Sequence, residues 1–176
     1  RMTLTANDRR TLLSHWSKPS SPSEADRQAR AERMVRAAIT EYPAFNGHQV
    51  SVYAKGSYPN NTNVRTDSDV DVAVECPDCH YWDPAHGVTL NDRASEPYRG
   101  IWLPDRWRSD VTNAIQAYFT SGVTAGNIAI TVAEVAGSRP SIDVVPCYTY
   151  IEYLSDDGRR SREGTVVHPA EGSRIE

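Results

Sequence analysis

One stretch constrains this chain more than any other: KGSYPNNTNVRTDSDVDVAV, Lys55 to Val74. Asp69-Val70-Asp71 opens a run of alternating small and β-branched residues, which reads as a strand from Asp69 to Glu75. On a strand, residues i and i+2 face the same side. Asp69 and Asp71 therefore project together, while Val70, Val72 and Val74 pack on the opposite face. Two adjacent carboxylates repel, and keeping both ionised costs free energy unless cations neutralise them. Hard oxygen donors of this kind suit Mg²⁺, with Mn²⁺ as the alternative.

Two further features give the pair a chemical context. Gly56-Ser57 follows directly on a strand expected over Gln49 to Ala54. A glycine there lets backbone approach a phosphate closely, and the serine hydroxyl is a donor for phosphate oxygens. Downstream, Ser141 to Tyr150 reads as another strand, and Asp143 is a charged residue within its apolar run. A buried carboxylate without a partner is costly, so a metal accounts for it naturally. Two-metal sites of this composition clamp the attacking and leaving oxygens in phosphoryl and nucleotidyl transfer.

The rest of the chain supplies a scaffold. A helix is expected from Ala6 to Trp16, capped by Thr5, and a second of about 18 residues capped by Ser23, with Met34, Val35, Ala38 and Ile39 on its apolar face. Cys76 to Pro104 reads as a long irregular insertion. Asp105 to Thr120 is helical by the spacing of Trp107, Val111, Ile115 and Tyr118. Strands are expected over Ile128 to Val135 and Thr165 to His168, the latter returning from a charged turn at Asp156 to Gly164. The order implies an α/β (α+β) domain: a mixed β-sheet with helices packed on one face.

Bulk properties narrow the partners. Hydrophobic residues make up 39% and charged residues 24%, with a net charge of -4. An acidic balance argues against a grip on extended nucleic acid and favours a small nucleotide substrate held by a local positive site. No apolar run reaches the length of a transmembrane helix, so no membrane association is expected. The N-terminus has no signal-peptide pattern, and with three cysteines this points to free thiols in a reducing cytoplasm.

Other candidate groups take simpler readings. Asp67, Asn60, Asn61 and Asn63 suit turns, and Lys55 and Arg65 read as solvated charges. Cys76-Pro-Asp-Cys79-His80 could contribute to a zinc site with His86, but free thiols in an insertion loop is the reading adopted. Cys147 reads as a packed core thiol, and Trp82, Trp102 and Trp107 as packing for the insertion.

Gly-Ser, then Asp-x-Asp after a polar loop, then a distant strand aspartate resembles the DNA-polymerase-β-like nucleotidyltransferase superfamily. Within it, the helices before Gly56-Ser57-Tyr58, the Ser68-Asp-x-Asp strand and the Asp143-Val-Val-Pro stretch resemble the cGAS/DncV-like nucleotidyltransferases (CD-NTases) of antiphage signalling. The resemblance covers Gly56 to Pro146 and implies a nucleotidyltransferase palm with N-terminal helices over residues 1–176. It implies nucleoside triphosphates as substrates, joined into a cyclic oligonucleotide with release of pyrophosphate. Gly56 and Ser57 would bind the triphosphate; Asp69, Asp71 and Asp143 would hold two Mg²⁺ ions, and Asp143 would assist deprotonation of a ribose hydroxyl. Such enzymes continue into a C-terminal helical half, and the resemblance leads us to expect that residues 1–176 do not include it. Three alternatives share the motifs: a CCA-adding tRNA nucleotidyltransferase, which has a comparable Asp-x-Val-Pro-Cys-Tyr stretch, a toxin-type enzyme modifying a partner protein, and an inactive nucleotide-binding sensor.

Overall fold

The computed structural model describes residues 22–55, 69–90 and 98–175. The helix expected at Ala6 to Trp16 lies outside them, as do Gly56, Ser57, Arg65, Asp67 and the loop asparagines. In chain order the elements are α1 (Pro22–Glu41), a short 3₁₀ turn (Pro43–Phe45), β1 (Ser51–Ala54), β2 (Val70–Pro84), α2 (Pro104–Tyr118), β3 (Val123–Ala125), β4 (Ile130–Val132), β5 (Ile142–Tyr153) and β6 (Ser161–Val166).

Both helices start on proline, which presets the first helical φ and lacks an N–H that would be unpaired there anyway. For α1 this puts the start one residue ahead of Ser23. Ala31, Val35, Ala38 and Ile39 recur at helical spacing and are all buried, as are Trp107, Val111, Ala114 and Ile115 on α2. The two stripes pack on each other and on the same face of the sheet.

The six strands form one mixed sheet in the order β1-β2-β5-β4-β3, with β6 also paired to β5. β2 and β5 run parallel, and every other pair is antiparallel. One edge of β5 is taken by β2 along its length. The other is shared: β4 pairs with Ile142 to Val144, and β6 with Tyr148 to Tyr153. Val70, Val72 and Val74 of β2, with Ile142, Val144 and Tyr148 of β5, point into the helix-covered core. That core ends in an aromatic cluster in which Trp102 and Trp107 meet edge-on with centroids 5.1 Å apart. Tyr148 donates a hydrogen bond to the Trp102 carbonyl at 2.9 Å, and Trp102 Nε1 donates to the buried Asp110 at 3.2 Å. Arg106 compensates the Asp110 charge from one turn earlier on α2.

The expected insertion from Cys76 to Pro104 needs correction. β2 does not stop at Glu75 but runs to Pro84, and His80 to Pro84 pair with Thr149 to Tyr153. Pro77 and Asp78 are poor strand formers, which disguised the continuation. The ladder tolerates them through an irregularity: Glu75 pairs with Cys147 and His80 with Thr149, so four residues of β2 stand opposite Tyr148 alone. β3 was not expected at all. The strand expected over Ile128 to Val135 is confined to Ile130–Val132, and the return strand is Ser161–Val166 rather than Thr165 to His168. Among the described residues no helix is long and apolar enough to cross a membrane.

Candidate active site

The alternation that sends Val70, Val72 and Val74 into the core sends Asp71, Ala73 and Glu75 to the other face of the sheet. That face carries a small apolar patch of Ala73, Cys147 and Val167, with Tyr53 and Val145 at its margin. Register places the candidate residues. Asp71 is paired with Asp143 across the parallel β2–β5 ladder, and Asp143 with Thr131 across the antiparallel β5–β4 ladder. Three side chains thus line up across three strands. Thr131 Oγ1 donates to Asp143 Oδ1 at 2.7 Å, fixing that carboxylate. Asp143 is half-buried with a hydroxyl partner, so it is not the unpartnered buried charge that the apolar run around it suggested.

Asp69 stands just before β2 and is exposed. The neighbouring Val70 N–H bonds the Ser141 carbonyl at 3.0 Å, which anchors this end of β2 beside the start of β5. Burial raises the Asp71 pKa above its ordinary value; the charges of Asp143 and then Asp69 raise it further, and Lys55 opposes them. Asp143 and Asp69 are therefore both close enough for their charges to act on Asp71. Among the described residues no three His, Cys, Asp or Glu side chains close into a metal cage. Mutual repulsion explains why carboxylates that sense each other need not converge without a cation. Hard oxygen donors brought to neighbouring strands are of the type that divalent cations take.

Lys55 is not the solvated charge that its sequence context suggested. Its backbone N–H bonds the Asp71 carbonyl at 2.8 Å, its ammonium group donates to Thr165 Oγ1 on β6, and its charge is felt by Asp71. The ammonium thus spans from the end of β1 over the carboxylate face. Its position directly after β1, antiparallel to Asp71, was the only signal available. Thr131 carried no such signal, because its role exists only through the β4–β5 register. Gly56 and Ser57 follow Lys55 in the chain but lie outside the described residues.

Further along the same face, Tyr53 donates to Glu75 at 2.6 Å, and Thr149 Oγ1 donates to the same carboxylate. Burial and the neighbouring Glu75 push the Tyr53 phenol well above its ordinary range. Cys147 is fully buried here; burial pushes its thiol up to about 12, as befits the packed thiol expected. On the helix-covered side, Trp102 and Trp107 pack as expected.

No protein-family model matches the chain. Curated proteins do. A cyclic dipyrimidine nucleotide synthase, CdnE, of Legionella pneumophila is 35% identical over 161 residues, covering 91% of this chain and 54% of its own length. A cyclic dipurine nucleotide synthase of Elizabethkingia meningoseptica is 33% identical over 178 residues, covering 92% and 59%. The chain thus spans about half the length of the curated relatives it matches. Among solved structures, the Rhodothermus marinus CdnE c-UMP-AMP synthase with Apcpp and Upnpp superposes with a TM-score of 0.65 at 25% identity, over 94% of this chain and 55% of that one. The E. meningoseptica CdnE cyclic dinucleotide synthase with GTP and Apcpp gives 0.64 at 28% identity, over 94% and 53%. Fold, motif spacing and these likenesses agree, and the chain belongs to the cGAS/DncV-like nucleotidyltransferase family.

Proposed function

We propose that this chain carries the catalytic palm of an enzyme that joins ribonucleoside triphosphates into a cyclic oligonucleotide second messenger of the antiphage-signalling type, releasing pyrophosphate. The observation that carries the proposal is the pairing of Asp71 with Asp143, next to Asp69, on the sheet face opposite the helices. In each step a ribose hydroxyl oxygen would attack an α-phosphorus, the bond to the pyrophosphate oxygen would break, and the hydroxyl proton would leave. A last such step, within the linear oligonucleotide, closes the ring.

Asp69, Asp71 and Asp143 would hold two Mg²⁺ ions. When bound, these supply positive charge against the triphosphate and favour the ionised form of the attacking hydroxyl. The chain's own residues do the rest. Thr131 holds Asp143 through Oδ1, leaving Oδ2 for a cation or the departing proton. Lys55 sets a positive charge near Asp71, at the point where the chain enters Gly56-Ser57. The Gly56 amide and Ser57 hydroxyl are donors suited to the triphosphate oxygens. We place the enzyme in the cytoplasm, where its triphosphate substrates are made.

The relatives that are cyclic nucleotide synthases support this reading over tRNA tailing or protein modification. Incubating the protein with Mg²⁺ and α-labelled nucleoside triphosphates tests it. A phosphatase-resistant cyclic product, lost in Asp71→Asn, is the expected result. Label transferred to tRNA or to a protein, with no cyclic product, would replace it with one of the other readings.

A further inference from the structure

The irregular segment of β2 brings together two groups that a regular strand would separate. Residues three apart on a strand point to opposite faces. In the bulge from Cys76 to Cys79, where four residues face only Tyr148, both cysteines instead pack into the same hydrophobic cluster. Cys76 is buried at 2% exposure beneath the aromatic cluster, while Cys79 is only partly buried. Both line a cavity of about 430 Å³ that also borders Pro77, Asp78, His80 and Thr149. Small polar solutes therefore have a route to both cysteines from one cavity.

We propose that Cys76 and Cys79 form a reversible dithiol–disulfide site whose oxidant is hydrogen peroxide. The pair is asymmetric. The neighbouring Cys79 thiol lowers the Cys76 pKa, while Cys79 retains its proton and is pushed up. Cys76 is accordingly the attacking sulfur. Its thiolate attacks one peroxide oxygen, the S–O bond forms and the O–O bond breaks. The leaving hydroxide takes up the proton that Cys76 gave to solvent and becomes water. The Cys79 sulfur then attacks the Cys76 sulfur, the S–S bond forms and the S–O bond breaks, and the departing hydroxyl leaves as water with the Cys79 proton. Two thiols lose two electrons and two protons, and one peroxide becomes two waters.

A zinc site is the competing use of such a pair. Structural zinc takes four ligands, and among the described residues no group of three or more His, Cys, Asp and Glu side chains is arranged for a metal. Cys147 provides an internal control: it is fully buried, its thiol is pushed up to about 12, and it faces the Val74 carbonyl at 3.7 Å rather than another thiol. In a reducing compartment a bridge of this kind is transient. The bulge begins five residues beyond Asp71, roughly 17 Å along an extended strand, so oxidation is best read directly and not through turnover.

The test is treatment of the reduced, folded chain with hydrogen peroxide, followed by denaturing alkylation and peptide mass spectrometry. The expected product has lost two hydrogens, carries a Cys76–Cys79 crosslink, keeps Cys147 fully alkylatable, and reverts with dithiothreitol. Cys147→Ser should form the same crosslink. Cys79→Ser should form none and should accumulate singly oxygenated Cys76. Equal alkylation of all three cysteines after peroxide, a crosslink that includes Cys147, or stoichiometric zinc in the purified protein would each overturn the proposal.

Discussion

The two faces of the central sheet are built from the same two strands and have opposite tasks. On one face Val70, Val72, Val74, Ile142, Val144 and Tyr148 are sealed under α1 and α2. On the other, one residue out of phase, stand Asp71, Glu75, Asp143 and Thr149, half-exposed and polar. A period of two residues separates the buried apolar set from the proposed catalytic carboxylates within a single strand, and a one-residue slip would exchange them. The comparison teaches that the carboxylates are positioned by strands whose packing they take no part in. Substitutions on the two faces should therefore fail in different assays.

The largest effect is expected for Asp71→Asn. It should lower turnover by on the order of a thousandfold or more, as removal of metal-held charge stabilisation costs several kcal/mol of barrier. Thermal unfolding should show no loss of stability, because no core contact is removed. Steady-state rates and a melting curve on the same preparation check both halves. A variant that unfolds early would blur the division between the faces.

Ile142→Ala tests the other side. Ile142 is fully buried, and truncating such a side chain costs roughly 2–5 kcal/mol of stability through lost burial and the cavity left behind. Denaturant titration reads this. At a temperature where the variant remains folded, its dependence on Mg²⁺ should match that of the parent protein.

Thr131→Val is a subtler probe. It keeps the β-branched shape but removes the hydroxyl that holds Asp143. Loss of such a supporting partner typically weakens metal binding by about 10–100-fold. The Mg²⁺ concentration for half-maximal rate should rise by roughly tenfold, near the lower end of that range. An unchanged requirement would mean that Asp143 does not depend on its neighbour.

The smallest effect concerns pH. Without metal, the Asp71 carboxyl takes up a proton more readily in the folded chain than in the unfolded one, whose ordinary value is 3.8. The folded state therefore binds more protons, and stability declines as pH rises from about 4 through the raised value, then levels. Melting temperatures taken without divalent ions should show this slope. Asp71→Asn should flatten it, and added Mg²⁺ should reverse it.

The parts legible in the sequence were those with local periodicity. Val70-Asp-Val-Ala-Val announces both its strand and its two faces, although Asp69, expected to open the strand, stands just before it, and Trp107, Val111 and Ile115 mark α2. Pairings between distant residues were not legible. Nothing local to Thr131 says that it lies opposite Asp143, and nothing local to Lys55 says that its ammonium group reaches Thr165. The extension of β2 past Glu75 was concealed by Pro77 and Asp78, which only a bulge accommodates. The three residues of β3 are too few for any period to emerge. Asp110 is buried with Trp102 and Arg106 converging on it, a pairing that no local pattern announces.

The central claim is that Asp71 and Asp143 bind divalent metal from the open face of the sheet. Titration of Mn²⁺, followed by its electron paramagnetic resonance signal, tests this most directly in the wild-type protein and in Asp71→Asn, Asp143→Asn and Glu75→Gln. Glu75 shares that face but is engaged by Tyr53 and Thr149. The account predicts binding in the wild type and in Glu75→Gln, and at least tenfold weaker binding in each aspartate variant, a ratio of about 1.4 kcal/mol. Equal Mn²⁺ affinity in all four proteins would contradict it.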